Sequence, residues 1–216
     1  MKKVSLVFTA VFITAMLVTS CGGGNKSASS NEVTIGKQVW MTQNLNVDKF
    51  RNSDPIPEAK SDEEWKAYAD AGEAAWCYYD NDSANGAKYG KLYNWYAVSD
   101  SRGLAPVGYH IPSDAEWTIL TDYLGGAEKA GAKMKSKQGW AEDGNGTNSS
   151  GFSGLLGGCR HNEGQFGANG ENGIWWSSTE DDWLNAVARL LYNNDGSVGR
   201  GVNGKVAGYS VRCLRD

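Results

Sequence analysis

The sequence predicts an α+β fold in which short helices come first and an irregular antiparallel sheet with long loops follows. Three observations predict it. Two helix-start signatures lie in the first half, the chain beyond Trp140 breaks into short apolar runs between Gly, Asn and Asp clusters, and no tandem repeat interrupts that order. Residues 32–216 suit one domain with a sizeable core.

Residues 33–41, VTIGKQVWM, alternate partly and end in Trp40 and Met41, so a strand is expected to open the domain. Ser61 and Glu64 stand three apart ahead of WKAYADAG, which predicts a capped helix that Gly72 stops. The same spacing returns at Ser113 and Glu116. It is followed by Trp117, Leu120, Thr121 and Leu124 at helical intervals, with Gly125 and Gly126 as the stop. Residues 127–137 add a helical turn or two with Met134 facing inward. Beyond them GFSGLL (151–156), GIWWSST (173–179), NAVARLLY (185–192) and GYSVRCL (208–214) predict strands joined by tight loops.

The first twenty residues carry Lys2 and Lys3, an uncharged stretch over 4–18 and small residues before Cys21, the pattern of a secretory signal. The run is too short and too early for a membrane span. Its end, LVTSC, resembles the bacterial lipobox, in which Cys21 becomes the lipidated first residue; an ordinary cleaved signal is the alternative. Acyl chains would anchor the protein to a membrane without spanning it. Residues 22–31, GGGNKSASSN, form a flexible tether. The expected organisation is therefore signal 1–20, lipidated cysteine and linker 21–31, and domain 32–216.

Removal of the signal leaves 19 basic against 25 acidic groups, a charge of −6. That balance argues against nucleic acid as a partner, since phosphate binding needs a basic face. Cys77, Cys159 and Cys213 allow one internal disulfide and one free thiol, and Cys77 with Cys213 is the expected pair. No Cys or His spacing points to zinc.

The blocks TIGKQVWMTQNL (34–45), WCYYDND (76–82), YGKLYNW (89–95), PVGYHIPSDAEW (106–117), GFSGLLGG (151–158), WWSSTE (175–180) and GYSVRC (208–213) resemble the Fibrobacter succinogenes major paralogous domain. That family is similar to the C-type lectin-like fold, in the variety shared with formylglycine-generating enzymes. The resemblance implies that fold and a surface-lipoprotein habit, mostly in Bacteroidetes and their relatives. It implies no particular ligand. Many members carry a cysteine where this chain has Gly86 and another at Leu104 and Ala105, so a disulfide bracing that loop is absent here.

In such a fold the GIWWSST segment is a strand near the site. Alternation turns Trp175 and Trp176 to opposite faces, so one ring is expected in the core and the other, Trp176, can be exposed. An exposed indole beside hydroxyls and carboxylates stacks on the C–H face of a sugar while the acids accept its hydroxyls. The reading preferred for each ring taken separately is that it packs inside, with Ser177, Ser178 and Thr179 capping or turning the chain.

Asp80 and Asp82, and Asp143 with Asn145, offer hard oxygens at alternating positions, as a calcium loop requires, but the bidentate glutamate of an EF-hand is missing. Calcium is the one cofactor considered, with solvated turns as the better reading. Cys159 and His161 bring a thiol and an imidazole close together without an orienting acid. His110, just before a helix start, is expected to bond to backbone. Residues 199–204 spell GxGxxG outside any βαβ context and read as a glycine-rich turn. Asp82-Ser83-Ala84 resembles an acceptor for protein O-glycosylation, a weak hint of export.

The expected function is that of a lipid-anchored, non-catalytic binding module of the bacterial cell envelope, an outer-membrane lipoprotein whose ligand is a glycan or an extracellular protein. Its ligand face is expected from Arg160, His161, Glu163, Trp176, Glu180, Asp182, Trp183, Asn194 and Arg200, because loops on a fixed scaffold vary without disturbing the core. A structural subunit of a fimbria-like assembly and an enzyme related to the formylglycine-generating group are the alternatives.

Overall fold

In the computed structural model, the described residues are Met1, 31–168 and 171–216. The rest of the expected signal, the expected lipidation site Cys21 and the expected linker up to residue 30 lie outside them. None of the described helices is long and apolar enough to cross a membrane.

The expected opening strand is a hairpin. β1 (Glu32–Ile35) pairs antiparallel with β2 (Gln38–Met41), because Gly36 turns the chain at φ 63°, where a β-carbon would also strike the Tyr123 ring at 2.9 Å. α1 (Asp62–Ala71) begins as expected: Ser61 Oγ accepts from the Glu64 amide at 3.2 Å, and Gly72 forms the C-cap. Then come β3 (Trp76–Cys77), α2 (Gly86–Tyr89), β4 (Leu92–Tyr93), α3 (Trp95–Ser99) and β5 (Tyr109–His110).

α4 (Asp114–Tyr123) carries the full reciprocal cap. The Glu116 amide donates to Ser113 Oγ at 3.3 Å and the Ser113 amide to Glu116 Oε2 at 2.8 Å, while Trp117 and Leu120 face inward. α5 (Ala127–Met134) follows with Met134 buried.

The second half contains β6 (Cys159–Arg160), β7 (Phe166–Gly167), β8 (Asn172–Glu180), β9 (Asn185–Tyr192), β10 (Val198–Gly204) and β11 (Leu214–Arg215). They form a four-stranded sheet in the order β1-β2-β11-β5, a three-stranded sheet β10-β9-β8 and the pairs β3-β4 and β6-β7. All these pairings are antiparallel. The fold is thus mixed, with short helices and several small sheets.

Two runs depart from expectation. Residues 151–156 are irregular, their one ladder contact being a bridge from Gly154 to Lys135, although Phe152 and Leu156 pack in the core, and only Leu214 of 208–214 lies in a strand. The GxGxxG stretch is not a turn: it is the body of β10, paired with β9 from Gly199↔Leu190 to Gly204↔Asn185.

β8 separates the two main parts of the core. Trp175 packs on one face with Trp40, Trp117 and Phe152, the Trp40 and Trp117 ring centroids lying 4.8 Å apart. Trp176 packs on the other with Tyr93, Trp95 and Tyr209, its ring 4.5 Å from that of Tyr209. Neither indole is exposed. The free edge of β8 is covered as well, since the Trp176 amide donates to Ser210 O and the Ser210 amide to Ile174 O, each at 3.1 Å. Beyond Trp176 the β8–β9 register shifts, and Ser177, Ser178 and Thr179 stay in the strand without turning the chain: Ser177 Oγ donates to Val187 O, and Thr179 Oγ1 accepts from the Asp114 amide, capping the start of α4.

The expected Cys77–Cys213 disulfide is absent. Cys77, Cys159 and Cys213 are buried free thiols, and Cys77 sits in a small cluster with Trp65 and Tyr79 while Cys213 lies in the main core.

Among the described residues, the charged side chains that reach full burial are all cations: Lys91, Lys135, Arg160, Arg189, Lys205 and Arg212. Long loops leave many main-chain carbonyls without strand partners, and a buried guanidinium or ammonium satisfies several at once. Arg212 donates to Met41 O at 3.1 Å, Phe152 O at 2.6 Å and Asn44 Oδ1 at 2.8 Å, while burial lowers its pKa to about 9.

Candidate functional site

The sheet β10-β9-β8 carries its open face at one end, where β8 turns into β9. There Trp183 is 80 % exposed and Leu184 51 % exposed, yet the turn that bears them is held by several hydrogen bonds. Asp182 Oδ1 accepts from the Leu184 and Asn185 amides at 2.8 Å each and from Asn185 Nδ2 at 3.0 Å. Those bonds, the Asn185 side chain first, hold the Asp182 carboxyl below its usual pKa. The buried Lys205 ammonium reaches up to Glu180 and to Trp183 O at 3.1 Å and lies over the Trp95 ring at 4.9 Å. The Lys205 amide donates to Leu184 O at 2.9 Å.

Next to Lys205, residues 202–204 of β10 form one wall of an open cleft of about 410 Å³. His161, Asn162 and Glu163 form the other wall, and Ala207 and Tyr209 also line it. Arg160 builds that second wall from beneath. It is fully buried, donates to Gly164 O at 2.8 Å, Ala59 O at 3.0 Å and Asn81 Oδ1 at 3.2 Å, and lies 5.0 Å from the Trp65 ring centroid. With this support the turn after β6 closes through the His161 amide on Gln165 O at 2.8 Å.

The polar groups of this cleft are largely uncommitted. The Asn162 side chain makes no hydrogen bond among the described residues. Glu163 has one remote partner, Lys66 at 3.9 Å, and Asn203 uses only its oxygen, accepting from the Tyr209 hydroxyl at 3.2 Å. A second cleft of about 310 Å³, between Arg51, His110 and Glu116, differs in this respect. His110 bonds Glu116 and Asp216 at 2.9 Å each, not backbone as expected, and Glu116 also caps α4. Its polar groups are largely consumed by the fold.

The structure gathers some of the expected ligand residues and scatters others. His161 and Glu163 line the open cleft, and Glu180, Asp182 and Trp183 make the adjacent turn. Arg160 and Trp176 are corrected to core positions; the Trp176 indole donates to Tyr93 O at 2.9 Å. Asn194 lies beyond the other end of β9, roughly 24 Å along that strand from the Trp183 turn. Arg200 is tied at 2.9 Å to Asp114, which also accepts from Arg189. Burial alone would raise the Asp114 pKa, but these two arginines hold it down. Asn203 and Tyr209 were missed; the only sequence trace of Asn203 is the alternation of residues 198–204, hidden by the glycines, and that of Tyr209 is its place in the GYSVRC run.

The expected calcium residues stand on separate loops. Asp82 Oδ1 accepts from the Ala84 amide at 2.9 Å, and Asn145 Oδ1 accepts from the Trp140 amide at 3.1 Å. Asp80 lies in the first of these loops and Asp143 in the second, each in the left-handed region. No group of three or more His, Cys, Asp or Glu side chains suited to a metal occurs among the described residues. Cys159 Sγ lies 4.0 Å from His161 Nε2, but burial pushes the thiol pKa up.

Set against known families, residues 33–215 match the Fibrobacter succinogenes major domain. The chain belongs to this family. Neither a curated protein nor a solved structure matches it. In this Fibrobacter succinogenes major domain two segments of the matched span meet at the core. WWSSTE supplies Trp175 and Trp176, and GYSVRC supplies Tyr209 and the strap along β8.

Proposed function

We propose that this chain is a lipid-anchored, non-catalytic glycan-binding module of the bacterial cell envelope, with a C-type lectin-like fold. The observation that carries the reading is the Trp183 indole, 80 % exposed on a turn fixed by Asp182 and Lys205 beside a cleft of uncommitted polar side chains. A flat apolar ring held in water costs solvation unless something covers it, and a pyranose face suits it in size and chemistry. The amide of Asn162, the imidazole of His161 and the carboxylate of Glu163 supply the donors and acceptors that hydroxyls need.

The absence of catalysis is part of the reading. The Cys159 thiol is raised in pKa and buried, the opposite of an activated nucleophile. The envelope location and the anchor at Cys21 rest on the N-terminal pattern.

The test is a glycan array probed with the purified full chain in detergent, in calcium and again in EDTA, with Trp183→Ala alongside. The expected result is a hit that survives EDTA and is lost in the variant. No hit on a broad array would overturn the glycan reading in favour of a protein partner. A hit indifferent to Trp183→Ala would remove that ring from the site.

A further inference from the structure

The turn joining β9 to β10 closes around an ammonium ion that belongs to the chain. Lys135 ends α5, is 4 % exposed, and places Nζ at 2.9 Å from Tyr192 O, 3.3 Å from Asn193 O and 2.9 Å from Asp195 O. Among the described residues it forms no ion pair with a carboxylate. Three carbonyls of one four-residue stretch thus point at a single positive charge, the arrangement by which main-chain oxygens replace the water around a monovalent cation.

The surroundings decide what kind of site this is. An open cleft of about 360 Å³ beside it is lined by Glu142, Asp143, Asn145 and Asp195, of which Asp143 and Asn145 are the calcium candidates of the sequence. Two of those side chains are turned to other tasks. Asp195 caps its own turn, accepting from the Ser197 amide at 2.9 Å and hydroxyl at 2.8 Å, and Asn145 accepts from the Trp140 amide. A divalent ion needs six or more hard oxygens, several of them charged, and the carbonyl cage offers three neutral ones.

We propose that the carbonyls of Tyr192, Asn193 and Asp195 form a monovalent-cation site that the chain fills with its own Lys135. The covalent tether holds the ion at a high effective concentration, so chelators cannot strip it and calcium has no place there. With the side chain removed, the cage takes an external ion of ammonium type, a primary alkylammonium or ammonium itself. Burial lowers the Lys135 pKa and Asp195 offsets part of that, consistent with an ammonium held in a dry cage.

The test is chemical rescue in the full chain. Lys135→Ala is expected to melt roughly 5–10 °C below the parent protein. Propylammonium chloride should restore most of that loss, whereas tetramethylammonium chloride, which has no N–H to donate, restores none at the same ionic strength. Loss without rescue by any primary ammonium, or no loss at all, overturns the proposal. Should Lys135→Ala fail to fold, the unaltered protein decides. A slowly exchanging lysine ammonium signal with contacts to the Asp195 and Gly196 amides supports the cage. Rapid exchange, or a shift of those amides on addition of calcium, overturns it.

Discussion

The two ends of the β10-β9-β8 sheet are each secured by a buried lysine, and the two lysines do opposite things. At the Trp183 end, Lys205 pairs with Glu180, which is 56 % exposed, and with a single carbonyl. At the Asn194 end, Lys135 faces three carbonyls and no acid. The first lysine stiffens a turn whose apolar groups stay in water; the second gathers the carbonyls of a turn inward, leaving polar side chains such as Asn194 and Asp195 outside. Where a cation has a solvent-facing partner, its loop displays apolar side chains, and where it has only main chain, the loop displays only small and polar ones such as Asn194 and Asp195.

That contrast makes ordered predictions. Lys135→Met should have the largest effect, about 3 kcal/mol of lost stability in denaturant unfolding, because it strands three carbonyls in a buried place. Lys205→Met should cost about 1.5 kcal/mol, since Glu180 can turn fully into water, and it should also weaken ligand binding by loosening the Trp183 turn. Equal losses in the two variants would erase the distinction between the ends. Trp183→Ala should leave stability within about 0.5 kcal/mol of the parent while lowering glycan affinity about tenfold.

The smallest effect concerns pH and lies away from both ends, at His110. Burial alone would lower its pKa, but bonds to Asp216 and Glu116 raise it above 6.5. Its stabilisation is therefore full below 6.5 and fades as pH climbs through the raised value. For Glu116, burial alone would raise the pKa, yet bonds from the Ser113 amide and His110 bring it below 4.5, so its share is full above 4.5 and fades as pH falls through the lowered value. Melting curves should place the joint contribution between these limits, and His110→Gln should remove the alkaline limb while only reducing the acid one, which the Ser113 amide still supports. An unchanged alkaline limb in that variant would show that His110 is not its source.

Elements fixed by local chemistry were legible in the sequence. The caps at Ser61 and Ser113 and the inward Met134 follow from contacts within a few residues, and β8 and β9 follow from long apolar runs. What could not be read depended on distant partners. The exposure of Trp176 was undecidable locally, because its burial comes from Tyr209 and from the strap at Ser210. Arg160 looks like a surface residue until Trp65, Ala59 and Asn81 converge on it. β10 was hidden by glycines that a close neighbour imposes: a β-carbon at Gly199 would meet the Tyr192 hydroxyl at 2.4 Å. For the candidate site, His161, Glu163 and Trp183 were found from their types, while Asn203 and Tyr209 needed the register.

The three sealed thiols have a consequence for how the molecule can be watched. Burial lifts Cys77 and Cys213 to about 12 and raises Cys159 as well, so at neutral pH none is a thiolate while the fold holds. They sit in two of the core clusters and become reactive only when those clusters part. An alkylating reagent added to the native chain is thus a stopwatch for opening: Cys77, in the cluster beneath α1, marks one hand, and Cys159 with Cys213 the other. If the clusters open together, the three thiols are modified at one common rate, and if α1 lifts first, Cys77 is modified ahead of the rest.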